Sequence, residues 1–185
     1  LSGVLHIENR LVSLEELDAR PIKKGKSFPD CEFGTTNQMC FNRQGFMILS
    51  EIFIGNPSDK TLYGGTLKQY AEKMKAQPPG SVTDQGYRSS ANFQEAKELS
   101  FGFFGKTGDV EESKREFCKS ARSATEGFIA VSKNLRGMGK SLYRGLQGDQ
   151  IWAALGQTAY NLKKIYQLYR LELLEESTLE YLGFI

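Results

Sequence analysis

EFGTTNQMCFNRQGFMILSEIFI, residues 32–54, reads as two adjacent strands, and the fold is worked outward from it. The second run, Phe46 to Ile54, has the near-continuous apolar character of a central strand covered on both faces. The link Asn42-Arg43-Gln44-Gly45 is short, polar and ends in glycine, which is a hairpin signal. Downstream, TLKQYAEKMKA (66–76) places Leu67, Tyr70 and Met74 at helical spacing, and Pro78, Pro79 and Gly80 stop that helix. SVT (81–83) reads as a buried strand running into the loop DQGYRSS, and ANFQEAKEL (91–99) reads as a helix. Phe101, Phe103 and Phe104 point to another strand.

A polar link, GKTGDVEES, precedes a long helical stretch from about Lys114 to Leu135. Glycines 137, 139, 145 and 148 then interrupt the chain. Asp149 is a candidate N-cap for a final helix carrying Ile151, Leu155, Leu162, Ile165, Tyr166 and Tyr169 on one stripe. Upstream of the hairpin, RLVSLEEL (10–17) is compatible with a short strand or a short helix, and DARPIKKGKSFPD (18–30) is a basic connection broken by Pro and Gly. The order strand, strand, helix, strand, helix, strand, helix, helix is a mixed α/β plan, an antiparallel hairpin followed by βαβ crossovers, with helices on both faces of a small mixed sheet.

Length and composition bound the function. The 185 residues make about one domain, and 39% hydrophobic with 25% charged residues excludes a disordered or fibrous chain. No apolar run approaches the ~20 residues of a membrane span, and LSGVLHIENR has no signal-peptide pattern, so no membrane partner is expected. A start at Leu1 rather than Met is what a piece of a longer polypeptide gives. The net charge of +2 is too small to identify a partner. Cys31, Cys40 and Cys118, with the single His6, lack zinc-site spacing, and three reduced thiols in a cytoplasmic protein are expected.

Three groups of residues carry possible chemistry. Asp84 follows a buried strand, and ligands gather beyond the carboxyl ends of strands in α/β sheets. The competing reading is a carboxylate that only caps its own turn. Arg122, Glu126 and Lys133 are spaced four and seven apart, which at ~100° per residue puts them within about 40° of one another on a helix. They are either a solvated ion-pair row or a carboxylate at the edge of the apolar segment GFIAV, able to share a divalent metal with a second carboxylate. Between Gly127 and Gly148 there is no acidic residue, while Lys133, Arg136, Lys140 and Arg144 are basic and Tyr143 lies among them. This stretch is either a phosphate-backbone surface or a solvated loop. RPIKKGK, with Arg20, Lys23, Lys24 and Lys26, is a shorter basic cluster.

Asp84 in VTDQGYRS, followed by Arg122, Glu126 and Lys133 in RSATEGFIAVSK, resembles the catalytic core of the DDE-type transposases of bacterial insertion sequences. In one branch of that family the last carboxylate lies in a Tyr-x2-Arg-x3-Glu-x6-Lys signature, matched here except that Lys119 stands at the Tyr position. RLVSLEELDARPIKKGKSFPDCEFG, DQGYRS and YRGLQGDQIWAALGQTAYNLKKI are similar to further family segments in the same order, so the resemblance spans roughly residues 10–170. It implies a ribonuclease-H-like mixed sheet flanked by helices. The family's first catalytic Asp has no counterpart in LSGVLHIEN, so the first strand is expected to be missing or incomplete. The expected division is 1–31, a connection following that strand; 32–176, the C-terminal part of the catalytic domain; and 177–185, a tail.

The resemblance further implies a metal-dependent enzyme for DNA strand cleavage and transfer. Asp84 and Glu126 would be catalytic carboxylates holding Mg²⁺ or Mn²⁺, and Arg122, Lys133, Tyr87, Arg88, Arg136, Lys140 and Arg144 would be DNA contacts. The partner would be double-stranded DNA at transposon ends, bound by a homodimer, in the bacterial cytoplasm at the nucleoid. Lacking the first Asp, this chain alone is expected to cleave negligibly. The alternatives are a non-catalytic nucleic-acid-binding remnant of the same fold, and a plain α/β domain whose charge row is a solvated face.

Overall fold

The computed structural model describes residues 11–23 and 31–170. Five strands and four α-helices follow one another as β1 (Arg20–Lys23), β2 (Cys31–Phe41), β3 (Met47–Ile54), α1 (Asp59–Met74), β4 (Ser81–Thr83), α2 (Ser90–Ala96), β5 (Gly102–Phe104), α3 (Glu112–Leu135) and α4 (Gly145–Arg170). The expected mixed α/β class is observed. The strands form two ladders rather than one: β1-β2-β3 is antiparallel, while β4 and β5 pair in parallel.

The hairpin forms where the sequence places it. In its turn the Gly45 N–H donates to the Asn42 carbonyl (2.9 Å) and the Phe46 N–H to Asn42 Oδ1 (2.9 Å). Gly45 has φ +83°, and a β-carbon there would fall 2.8 Å from Phe128 Cζ, so both the backbone and the packing require glycine. Met47 and Leu49 on β3 are buried, and Met47 joins Met138 and Tyr160 in one apolar cluster beneath α3 and α4. A second cluster, Tyr63, Ala96 and Phe104, seats α1 and α2 on β5. The Tyr63 hydroxyl reaches Ser81 Oγ at 2.6 Å, tying α1 to β4.

Three elements differ from the sequence expectation. The segment Arg20–Lys23, read as a connection, is a strand paired with Cys31–Gly34 despite Pro21, because an edge strand tolerates proline. Helix α1 begins seven residues before the expected start, at Asp59, and carries Gly64 and Gly65 in its interior. Gly64 lies against the Glu95 carboxylate, so α1 and α2 approach closely there.

Helix α4 begins at Gly145 rather than after Asp149. Its first free N–H groups are taken by distant carboxylates: Gly145 donates to Glu16 Oε2 (2.9 Å) and Leu146 to Asp18 Oδ2 (2.8 Å). Asp149 instead accepts from Thr35 Oγ1 at 2.7 Å. The apolar stripe of α4 is turned out: Ile151, Leu155, Leu162, Tyr166 and Tyr169 are exposed, and Ala153, Gly156 and Tyr160 are buried. Small and amide side chains let α4 approach β3, where Gln157 Nε2 and Asn161 Nδ2 each donate to the Met47 carbonyl at 2.9 Å. Among the described residues, no helix is long and apolar enough to cross a membrane.

Candidate functional site

Asp84 directly follows β4 and is exposed at the mouth of the parallel pair. Its Oδ1 accepts from the Gly86 N–H (2.7 Å), capping the one-turn 3-10 helix Gln85–Tyr87. The carboxylate therefore makes the turn-capping bond read from the sequence, and it does so where a strand delivers it to solvent. No basic side chain among the described residues pairs with it.

A second carboxylate comes from elsewhere in the chain. A β-carbon built on Gly86 would fall within 3 Å of both Asp84 Oδ1 and Asp59 Oδ2, so the two acids converge on this loop. Burial, then the neighbouring Asp84 charge, raises the Asp59 carboxyl above its ordinary range. Tyr87 closes the cluster from within. Its hydroxyl receives a hydrogen bond from Gln38 Nε2 (3.1 Å), and burial, with smaller contributions from Asp59, Asp84 and Cys40, pushes it up to about 12 against the lowering effect of Gln38. Asp59 was not legible as a site residue, because the sequence reading starts α1 at Thr66 and leaves Asp59 in the polar stretch before it.

Glu126 lies on α3 facing the C-terminal end of β5. With Phe103, Gly105, Lys119, Arg122 and Ser123 it lines an open cavity of about 310 Å³. Arg122 Nε stands 3.3 Å from Glu126 Oε1, and the Glu126 side chain is 65% exposed. Gly105 forms part of this wall, and a β-carbon there would lie 3.4 Å from the Asp84 carbonyl carbon and 3.0 Å from the Gln85 nitrogen. The Asp84 loop and the Glu126 cavity thus share Gly105 as a common border. Lys119 and Ser123 complete the helix face formed by Arg122 and Glu126, and the i, i+3, i+4, i+7 spacing from Lys119 was the signal that could have found them.

The expected DNA contacts divide into exposed and engaged groups. Lys133, Lys140 and Arg144 are exposed. Arg136 sits at the end of α3, its Nε buried without a hydrogen bond; burial raises the Tyr160 hydroxyl, and the Arg136 charge opposes that rise in part. Arg88 pairs with Asp109 and lies 4.8 Å over the Phe93 ring. Asp109 Oδ2 also accepts from the N–H groups of Phe104 (2.8 Å) and Lys106 (3.1 Å). Arg88 therefore braces the loop behind Gly105. Of the shorter basic cluster, Arg20 donates to the Leu17 and Ala19 carbonyls, Lys23 is exposed, and Lys24 and Lys26 lie outside the described residues, as does His6.

Oxygen donors at an open strand end suit a hard divalent cation such as Mg²⁺ or Mn²⁺. Asp84 and Asp59, neither paired with a Lys or Arg among the described residues, supply such oxygens beside Gly86. Among the described residues no group of three or more His, Cys, Asp or Glu side chains is assembled to hold a metal. Comparison with known proteins returns no match to a family model, a curated protein or a solved structure.

Proposed function

We propose that this chain is the C-terminal part of a DDE-type transposase catalytic domain with a ribonuclease-H-like sheet, acting in metal-dependent DNA strand cleavage and transfer. The observation that carries the proposal is the shared Gly105 border, which brings the Asp84 loop next to the cavity containing Glu126, Arg122 and Lys119. In this reading Asp84 and Glu126 hold Mg²⁺ or Mn²⁺. When bound, the metal supplies an activated oxygen nucleophile and stabilises the leaving oxygen of a phosphodiester.

The chain's own groups do the positioning. Arg122 orients Glu126 through their 3.3 Å contact, and Lys119 and Ser123 give the cavity a phosphate-binding wall. Lys133, Lys140 and Arg144 hold the duplex backbone through charge without reading sequence. Arg88 and Tyr87, being engaged by Asp109 and Gln38, act on DNA by fixing the loop around Asp84.

A second reading, a non-catalytic nucleic-acid-binding remnant of this fold, is favoured by the lack of a three-acid metal group among the described residues. Duplex binding by fluorescence anisotropy, with and without Mn²⁺, separates the two. The transposase reading expects Mn²⁺ to tighten binding and expects Asp84→Asn and Glu126→Gln each to abolish that increment while leaving metal-free binding intact. Salt-sensitive binding with no Mn²⁺ increment selects the remnant. Binding that does not weaken between about 50 and 200 mM salt contradicts both.

A further inference from the structure

We infer that the outward face of α4 docks a second copy of this chain, the two helices packing antiparallel as a short coiled coil. This surface is separate from the proposed metal site and does not depend on it.

Helix α4 has two apolar faces. Ala153, Gly156 and Tyr160 form the buried one. About 180° away, at ~100° per residue, Ile151, Leu155, Thr158, Leu162, Ile165 and Tyr169 form a second stripe. Among the described residues nothing covers it: Ile151 is 48% exposed, Leu155 52%, Leu162 53% and Tyr169 57%. The spacings of 4, 3, 4, 3 and 4 are those of coiled-coil a and d positions, sustained over about 27 Å at ~1.5 Å per residue. The Thr158 hydroxyl already donates to the Ala154 carbonyl (2.9 Å), so a partner can cover its methyl group without stranding a donor.

A solvated helix face carries charge, as α3 does with Lys119, Glu126 and Lys133 exposed. From Gln150 to Leu162, α4 has no charged residue. The stripe is flanked there by Ala154 and Ala159, both exposed and small enough to let a second helix approach closely.

Two observations identify the occupant as a reversed copy. The spacings read the same in either direction. With a two-fold axis beside residue 160, Ile151 meets the partner's Tyr169, Leu155 the partner's Ile165, and Thr158 the partner's Leu162. Charge along α4 is also polarised. Its start holds Asp149 and the capping carboxylates of Glu16 and Asp18, whereas its second half holds Lys163, Lys164 and Arg170 and no acid. Antiparallel packing sets each acidic start beside a basic end and opposes the helix dipoles, where parallel packing would stack like on like.

Sedimentation equilibrium of the full chain without DNA, from about 5 to 200 µM, tests this, because one helix pair is a small interface suited to micromolar association. The wild type is expected to reach twice 20.8 kDa within this range. Leu155→Glu and Leu162→Glu are each expected to weaken the dimer at least about tenfold with an unchanged melting temperature. Leu162→Gln serves if circular dichroism shows a glutamate variant unfolded, and Glu126→Gln is expected to leave the dimer intact. Cysteines fix the direction. Positions 151 and 169 of one helix lie about 27 Å apart, so a disulfide between them joins two copies. On mild oxidation the double variant Ile151→Cys, Tyr169→Cys is expected to link, and each single variant to stay unlinked like the wild type. A wild type that stays monomeric at the highest concentration, or a dimer that survives both glutamate variants, overturns the inference. So does a double variant that fails to link, or a link formed by either single variant.

Discussion

Replacing Asp109 with alanine is expected to cost more stability than replacing its partner Arg88, and the structure sets the sizes. The Asp109 side chain is 1% exposed and serves three donors: the Phe104 and Lys106 N–H groups and the Arg88 guanidinium. Hydrogen bonds to a charged group contribute about 1.5–3 kcal/mol each, and removing one partner of a buried pair costs about 3–5 kcal/mol. The Arg88 side chain stays 35% exposed, so water partly serves it after the loss. Asp109→Ala is therefore expected at the lower end, about 3–4 kcal/mol, with Asp109→Asn intermediate. Arg88→Ala leaves Asp109 with its two backbone donors and is expected to cost about 1–2 kcal/mol. For a denaturant slope near 2 kcal/mol/M, Asp109→Ala moves the urea midpoint down by about 1.5–2 M. Circular dichroism in urea measures all three variants. A cost under about 1 kcal/mol for Asp109→Ala, or a larger one for Arg88→Ala, would refute the bracing role given to this pair.

Three further outcomes follow from the geometry. Gly45→Ala is expected to destabilise by about 2–3 kcal/mol, measured by the same urea titration, because it combines a left-handed backbone with a clash against Phe128. In duplex binding, Lys133→Ala, Lys140→Ala and Arg144→Ala should each lower the slope of log K against log salt by about 0.9, whereas Arg136→Ala, with its Nε buried, should leave it unchanged. Burial pushes the Cys40 thiol up to about 11 from an ordinary value of 9.0, so the folded state holds this proton longer than the unfolded chain does. The stability tied to it is whole below pH 9 and is lost as pH rises towards 11, a fall that urea midpoints taken across this range should show and Cys40→Ala should reduce.

Much of the framework was legible because it is encoded locally. The hairpin follows from an apolar run, a glycine-ended polar link and another apolar run, and α3 follows from its helical periodicity. What escaped depends on partners distant in sequence. The start of α4 is fixed by Glu16 and Asp18, which no local cap pattern around Asp149 contains. The early start of α1 is hidden by two interior glycines, whose intrinsic cost of about 1 kcal/mol each is outweighed by packing on Phe104 and Glu95. The outward stripe of α4 shows that helical periodicity identifies a face without identifying which face meets the sheet.

The candidate site divides along the same line. The helix face of Arg122 and Glu126 and the strand-end position of Asp84 are properties of short segments, and both are observed. The convergence of Asp59 on Asp84, the engagement of Arg88 by Asp109 and the partial burial of Arg136 are properties of the assembled fold.

Affinity cleavage by Fe²⁺ tests the proposed metal site most directly. Fe²⁺ substituted for Mg²⁺ generates hydroxyl radicals with ascorbate and peroxide, and these cut the backbone beside the bound ion. Cuts both in the loop after Asp84 and in α3 around Glu126, suppressed together by excess Mg²⁺, are the expected result. Cuts confined to one of these segments, or cuts that excess Mg²⁺ does not suppress, would contradict a cation shared by the two carboxylates.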